Sequence, residues 1–207
     1  MQGAAAPCAR ATECSPVTVG IDTSRADDWG DLIFCKAFGE TFVAADSALR
    51  SITVWKLASE ANFVPLKLWI VGVYDSLSPY PGVPNSHDVI LDGPTILAYD
   101  GDGVHPVKAE FIIDPPVILP RIHSRQYAFL IQERCVTFID LLIDTRGDDY
   151  LDGHLWRTGR TCDTGCGLRQ PSDSYPTADL VFQIEFCRPV PTAIPRSPWG
   201  RLKVRYR

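Results

Sequence analysis

Hydrophobic and polar residues alternate with a period of two along much of this chain, as they do in strands that bury one face. The clearest case is residues 177–187. Leu180, Phe182, Ile184 and Phe186 fall on one face, and Asp179, Val181, Gln183 and Glu185 on the other. This predicts the closing strand of a sheet-on-sheet domain, with nothing after Cys187 readable as core. Further strands are predicted at residues 32–38, 40–44, 51–57, 66–74, 95–99, 107–114, 126–132, 136–143 and 153–157. The stretch 66–74 is apolar on both faces and reads as a central strand.

Between these strands lie turn signals rather than helical periods. Residues 75–94 form a proline-bearing connection, long enough to suggest a functional loop. Asp100-Gly-Asp-Gly103 is a strong turn, Pro115 and Pro116 close a unit, and 158–176 reads as a loop. About nine short strands without βαβ alternation predict an all-β antiparallel sandwich of jelly-roll type. It should occupy residues 31–187. Residues 1–30 are read as an irregular segment. Residues 188–207 are read as a proline-rich linker with a basic end, lying outside the domain.

Composition adjusts this picture in three ways. A formal net charge of -5 argues against a nucleic-acid partner. No apolar run reaches the roughly 18 residues that span a bilayer. Seven cysteines suit a secreted, disulfide-bearing chain better than a cytosolic one. Cys8 with Cys14, and Cys162 with Cys166, are expected as local bridges, and Cys187 is expected to join Cys35 or Cys135, which leaves one cysteine unpaired. Residues 1–6 lack an apolar signal region, so the reading places a removed signal ahead of Met1.

Candidate chemistry is sparse. Asp22, Asp27, Asp28 and Asp31 could gather round calcium, but their spacing matches no EF-hand loop and a solvated loop is the simpler reading. His87, His105, His123 and His154 are isolated and read as solvated loop residues, with a folded-together metal site such as His87, His105 and Asp102 as the alternative. Residues 144–152 are dense in aspartate. They read as a polar turn, with a glycosidase acid and base as the catalytic alternative. No nucleophile elbow or phosphate loop is present, so the reading leans away from an enzyme. Sugar binding needs aromatic faces beside hydrogen-bonding groups, and Tyr80, Tyr99, Tyr150, Trp156 and Tyr175 are the candidates.

The stretches 38–42, 49–55, 66–71, 126–131 and 178–182, taken in their order and spacing, resemble bacterial extracellular jelly-roll sandwiches of the carbohydrate-binding and surface-anchored kinds. The end, residues 199–207, resembles a short surface-targeting tail. The resemblance implies a structural calcium where the first and last strands meet, with Glu40 and Asp179 as the matching acidic positions. Glu40 stands where many relatives carry an amide. The function expected is a secreted, non-catalytic module binding a glycan or another cell-surface polymer. The competing reading is a subunit of a surface layer or filament, self-associating through its tail. A glycan-active hydrolase comes third.

Overall fold

A computed structural model describes residues 14–32, 35–57, 64–98, 104–120, 126–134, 140–159 and 167–189. These residues form two packed antiparallel sheets, so the all-β sandwich predicted from the alternation is what the chain adopts. In chain order the strands are β1 (Cys14–Gly20), β2 (Asp28–Leu32), β3 (Ala37–Val43), β4 (Ala48–Lys56), β5 (Val64–Val73), β6 (Pro84–Ala98) and β7 (Val107–Ile118). They continue with β8 (Gln126–Glu133), β9 (Asp140–Thr145), β10 (Leu155–Thr158), β11 (Pro171–Tyr175), β12 (Asp179–Leu180) and β13 (Phe182–Pro189). The first sheet runs β1-β13-β4-β9-β12, with β2 also paired to β9 and β7 to β4. The second runs β11-β10-β3-β8-β5-β6.

The two sheets meet through aromatic rings. Phe42 of β3 lies 6.0 Å from Tyr127, 6.3 Å from Phe129 and 6.2 Å from Phe186, while Phe129 lies 5.3 Å from Phe182. Phe182, Ile184 and Phe186 are fully buried, as the alternation in β13 requires. A smaller apolar group of Ala37, Val71, Val73, Ala128 and Leu130 packs with Trp69 and Leu168, separately from the main core. This explains why β5 and β8 are apolar on both faces. Gly39 is demanded by close packing, because a Cβ there would sit 1.8 Å from the Phe129 carbonyl oxygen.

The structure corrects several sequence expectations. Residues 14–20 and 28–32 are strands, not irregular chain: β1 pairs with β13 from Cys14↔Pro189 to Gly20↔Gln183, and β2 lies along β9. Both are flanking strands whose pattern is too short to announce them. The connection expected at 75–94 ends at Pro84, where β6 begins. Pro84 and Pro94 are tolerated because β6 is the last strand of its sheet and needs hydrogen bonds on one side only. Strand β7 likewise continues through Pro115 and Pro116, beyond a cis Asp114–Pro115 bond. Within the expected loop 158–176, residues 171–175 pair with β10. The described residues therefore hold thirteen strands rather than about nine.

Candidate functional site

One end of the sandwich gathers the charged chemistry, because β9 holds β2 on one side and β12 on the other. The pairs Asp28↔Asp144, Leu180↔Asp144 and Asp179↔Thr145 set the register. On the facing sheet, Leu155 of β10 lies opposite both Glu40 of β3 and Tyr175 of β11. The Leu155 N–H also donates to the Ala178 carbonyl at 3.3 Å, joining β10 to the approach of β12.

Two groups of side chains result. The first is a buried latch formed by Glu40 and Asp179. Asp179 was expected on a wetter face, yet it is buried, because the turn after β9 folds over it. Its Oδ2 accepts the backbone N–H of Asp149 at 2.6 Å and of Tyr150 at 2.8 Å. Glu40 Oε2 accepts the Leu180 N–H at 3.1 Å, and Oε1 has no hydrogen-bond partner among the described residues. Burial, followed by the charge of Asp179, holds the Glu40 carboxyl well above its ordinary range. Asp179 is also raised by burial, against the lowering effect of its two backbone donors. Gly153 closes beneath the latch, where a Cβ would meet the Thr41 carbonyl oxygen at 1.9 Å.

The second group lines a cleft of about 190 Å³ that opens beside the latch. Its walls include Asp28, Asp144 and Arg146 from the first sheet, and Phe38, Arg157 and Tyr175 from the second. Arg146 Nε donates to Asp28 Oδ2 at 2.9 Å, and the Arg146 N–H donates to Asp27 Oδ1 at 2.7 Å. Arg157 stacks on the Tyr175 ring at 4.6 Å and pairs with Asp173 at 3.0 Å. At the mouth, Asp31 pairs with Lys36 at 2.7 Å. Asp144 is 7% exposed, and its Oδ1 has no hydrogen-bond partner among the described residues. Burial first, then Asp28 and Asp27, push its carboxyl up to about 7, with Arg146 opposing. A larger hollow of about 350 Å³ lies elsewhere, lined in part by Thr18, Asp22, Trp55 and Gln183. None of its lining side chains has a buried polar atom lacking a partner, so the chemistry points to the smaller cleft.

The predicted site residues divide. Glu40 of β3 and Asp179 of β12 are both buried, close enough for the charge of Asp179 to act on Glu40. Among the described ligand aromatics, only Tyr175 lines the cleft. Tyr150 is part of the core: it stands edge-on to Phe182 at 5.2 Å, its hydroxyl accepts the Val43 N–H at 3.3 Å, and burial raises it to about 12. Trp156 is also buried, at 9% exposure. Tyr80 is 62% exposed and 6.2 Å from Tyr74, on the β5–β6 connection. Tyr99 lies outside the described residues. The four N-terminal aspartates serve separately: Asp22 caps a 3-10 turn by accepting the Ser24 N–H at 2.8 Å, Asp27 and Asp28 hold Arg146, and Asp31 holds Lys36. Asp149 of the acidic turn faces Arg25 at 3.6 Å. Of the alternative metal site of His87, His105 and Asp102, His87 and His105 are described, while Asp102 lies outside the described residues. No group of three or more His, Cys, Asp or Glu residues suited to a metal occurs among the described residues. The sequence marks Asp144 only as the first carboxylate of the acidic stretch 144–152, not as a cleft residue, and gives no signal for Arg157.

Cys35 and Cys187 are buried. Cys8, Cys135, Cys162 and Cys166 lie outside the described residues, as does the side chain of Cys14, so the two local bridges fall there. The tail beyond Pro189 also lies outside them. No helix among the described residues is long and apolar enough to cross a membrane.

No family model matches this chain, and no curated protein matches it. Among solved structures it is similar to the cysteine protease and lectin-like domains of Cwp84, a surface layer associated protein of Clostridium difficile. That likeness has a TM-score of 0.44 and 10% identity, and covers 78% of this chain and 36% of the other.

Proposed function

We propose that this chain is a secreted, non-catalytic binding module whose ligand is a glycan. The observation that carries the reading is the cleft between the sheets, where a Tyr175 ring lies beside the polar groups Asp28, Asp144, Arg146 and Arg157. An aromatic face with a few fixed hydrogen-bonding groups is the usual composition of a sugar seat. At about 190 Å³ the cleft is smaller than the roughly 300–1,000 Å³ of drug-sized sites, which suits a single ring of a longer chain. Secretion is supported by Cys35 and Cys187, both half-cystines, since disulfides persist mainly in oxidising compartments. A glycan array and retention on insoluble polysaccharides test the reading. Retention is expected, with affinity falling about tenfold in Tyr175→Ala. A folded chain that retains no glycan refutes it.

A structural calcium at Glu40 and Asp179 belongs to the same proposal. The partnerless Glu40 Oε1 and the nearby carboxyl groups of Asp179 and Asp148 supply candidate oxygen ligands. Two carboxylates fall short of the six to eight oxygens that calcium takes, so backbone oxygens or water would complete the set. Calcium at 100 times its dissociation constant is expected to stabilise the fold by about 2.7 kcal/mol, seen as a melting shift that chelator reverses. Glu40→Gln keeps an acceptor for the Leu180 N–H but loses the charge, and should abolish that shift. An identical shift in wild type and Glu40→Gln would remove calcium from this position.

A further inference from the structure

We propose that the cleft between Asp144 and Tyr175 selects a cationic sugar residue, the free amine of an amino sugar forming an ion pair with Asp144. This deepens the glycan reading and rests on it. Nearly every charge at the cleft is already matched. Asp28 is held by Arg146 at 2.9 Å, Asp31 by Lys36 at 2.7 Å, and Arg157 is held by Asp173 at 3.0 Å. Asp27 accepts the Arg146 backbone N–H. Asp144 is the exception. It is more than nine-tenths buried on the cleft wall, and Oδ1 meets no donor among the described residues.

A buried carboxyl oxygen without a donor is costly, and the cost is relieved by whatever donor arrives. Three kinds of ligand can be compared. An anionic one would add a negative charge beside Asp144, Asp28 and Asp27, and like charges at close range in a partly dry cleft repel strongly. A neutral hydroxyl would satisfy Oδ1 but leave the repulsion from Asp28 and Asp27 unanswered. An ammonium does both, and hydrogen bonds between ionised partners are roughly twice as strong as neutral ones. The half-buried Tyr175 then flanks the carbon skeleton of the ring, above the buried Phe38 and Leu155. Glu40 and Asp179 are engaged with backbone N–H groups of the adjoining latch and do not supply this seat.

The test uses the full chain and three probes of equal length: oligomers of glucosamine, of N-acetylglucosamine and of glucose, titrated calorimetrically near pH 7.5, where the Asp144 carboxyl is largely ionised. The glucosamine oligomer is expected to bind about tenfold or more tightly than either of the others. In Asp144→Asn, which preserves shape and removes charge, the ratio should fall to about one; its melting curve verifies folding. Raising salt should weaken the glucosamine complex selectively. Equal affinity for all three oligomers, or a preference that survives in Asp144→Asn, overturns this inference and leaves the glycan reading standing. Absence of binding to every glycan overturns both.

Discussion

Truncating Phe182 to alanine is expected to cost about 3–5 kcal/mol, the range for removing a large aromatic from a packed core. The ring is fully buried and stands at the junction of both sheets, 5.3 Å from Phe129 and edge-on to Tyr150 at 5.2 Å. Its backbone carbonyl also accepts the Ile21 N–H at 2.8 Å, so the same residue anchors the turn after β1. The void left by the ring cannot collapse easily, because Phe42, Phe129 and Phe186 are held by paired strands on both sides. For a chain of this size the melting temperature should fall by roughly 10 °C or more. Urea unfolding of wild type and variant provides the check. A loss below about 1 kcal/mol would mean that the sheets are not joined through this ring.

The second large effect is a stability that depends on pH through Asp144. Its folded carboxyl titrates at about 7, against an ordinary value of 3.8. The folded state therefore binds a proton between those values that the unfolded state has released. The sign follows: the contribution is fully present below about pH 4 and is lost as pH rises through about 7. A gap of that size sets a ceiling on the order of 4 kcal/mol, and solvent reaching the cleft lowers the realised figure to about 2 kcal/mol. Asp144→Asn carries no charge at any pH. It should match wild type near pH 4 and exceed it by about 2 kcal/mol at pH 8, a melting difference of several degrees. Glu40 and Asp179 are also raised, and they leave a shared slope of the same sign in both proteins. Melting temperatures from pH 4 to 8 in chelator provide the measurement. Parallel curves for the two proteins would show that Asp144 is not the group responsible.

Much of this architecture is legible in the order of residues alone. Alternation is a local property, and wherever a strand buries one face it is written directly into consecutive positions. Leu180, Phe182, Ile184 and Phe186 announce β13 in this way, and the doubly apolar 66–74 stretch announces an interior strand. Proline and glycine spacing excluded long helices for the same local reason. The fold class followed from these signals, whereas Glu40 and Asp179 were singled out only by the resemblance to extracellular jelly-roll sandwiches.

The rest depended on partners that sequence does not name. Whether a stretch with proline becomes a strand depends on whether it borders another strand on one side or two, which is why β6 and β7 were misread. Strands β1 and β11 form because β13 and β10 offer them edges. Asp179 sits in the alternation as a wet position, yet the turn at 149–150 folds over it and satisfies it with backbone N–H groups. Tyr150 and Trp156 look like loop or strand-end aromatics, but Tyr150 packs against the core between the sheets and Trp156 is buried on β10. Asp144 becomes chemically distinct only when β2 and β12 close round β9 and bury it beside Asp27 and Asp28. Alternation sets which face of a strand turns inward. Which strands become neighbours, and hence which charges share a cleft, is decided by long-range pairing, where the energetics of burial act between residues far apart in the chain.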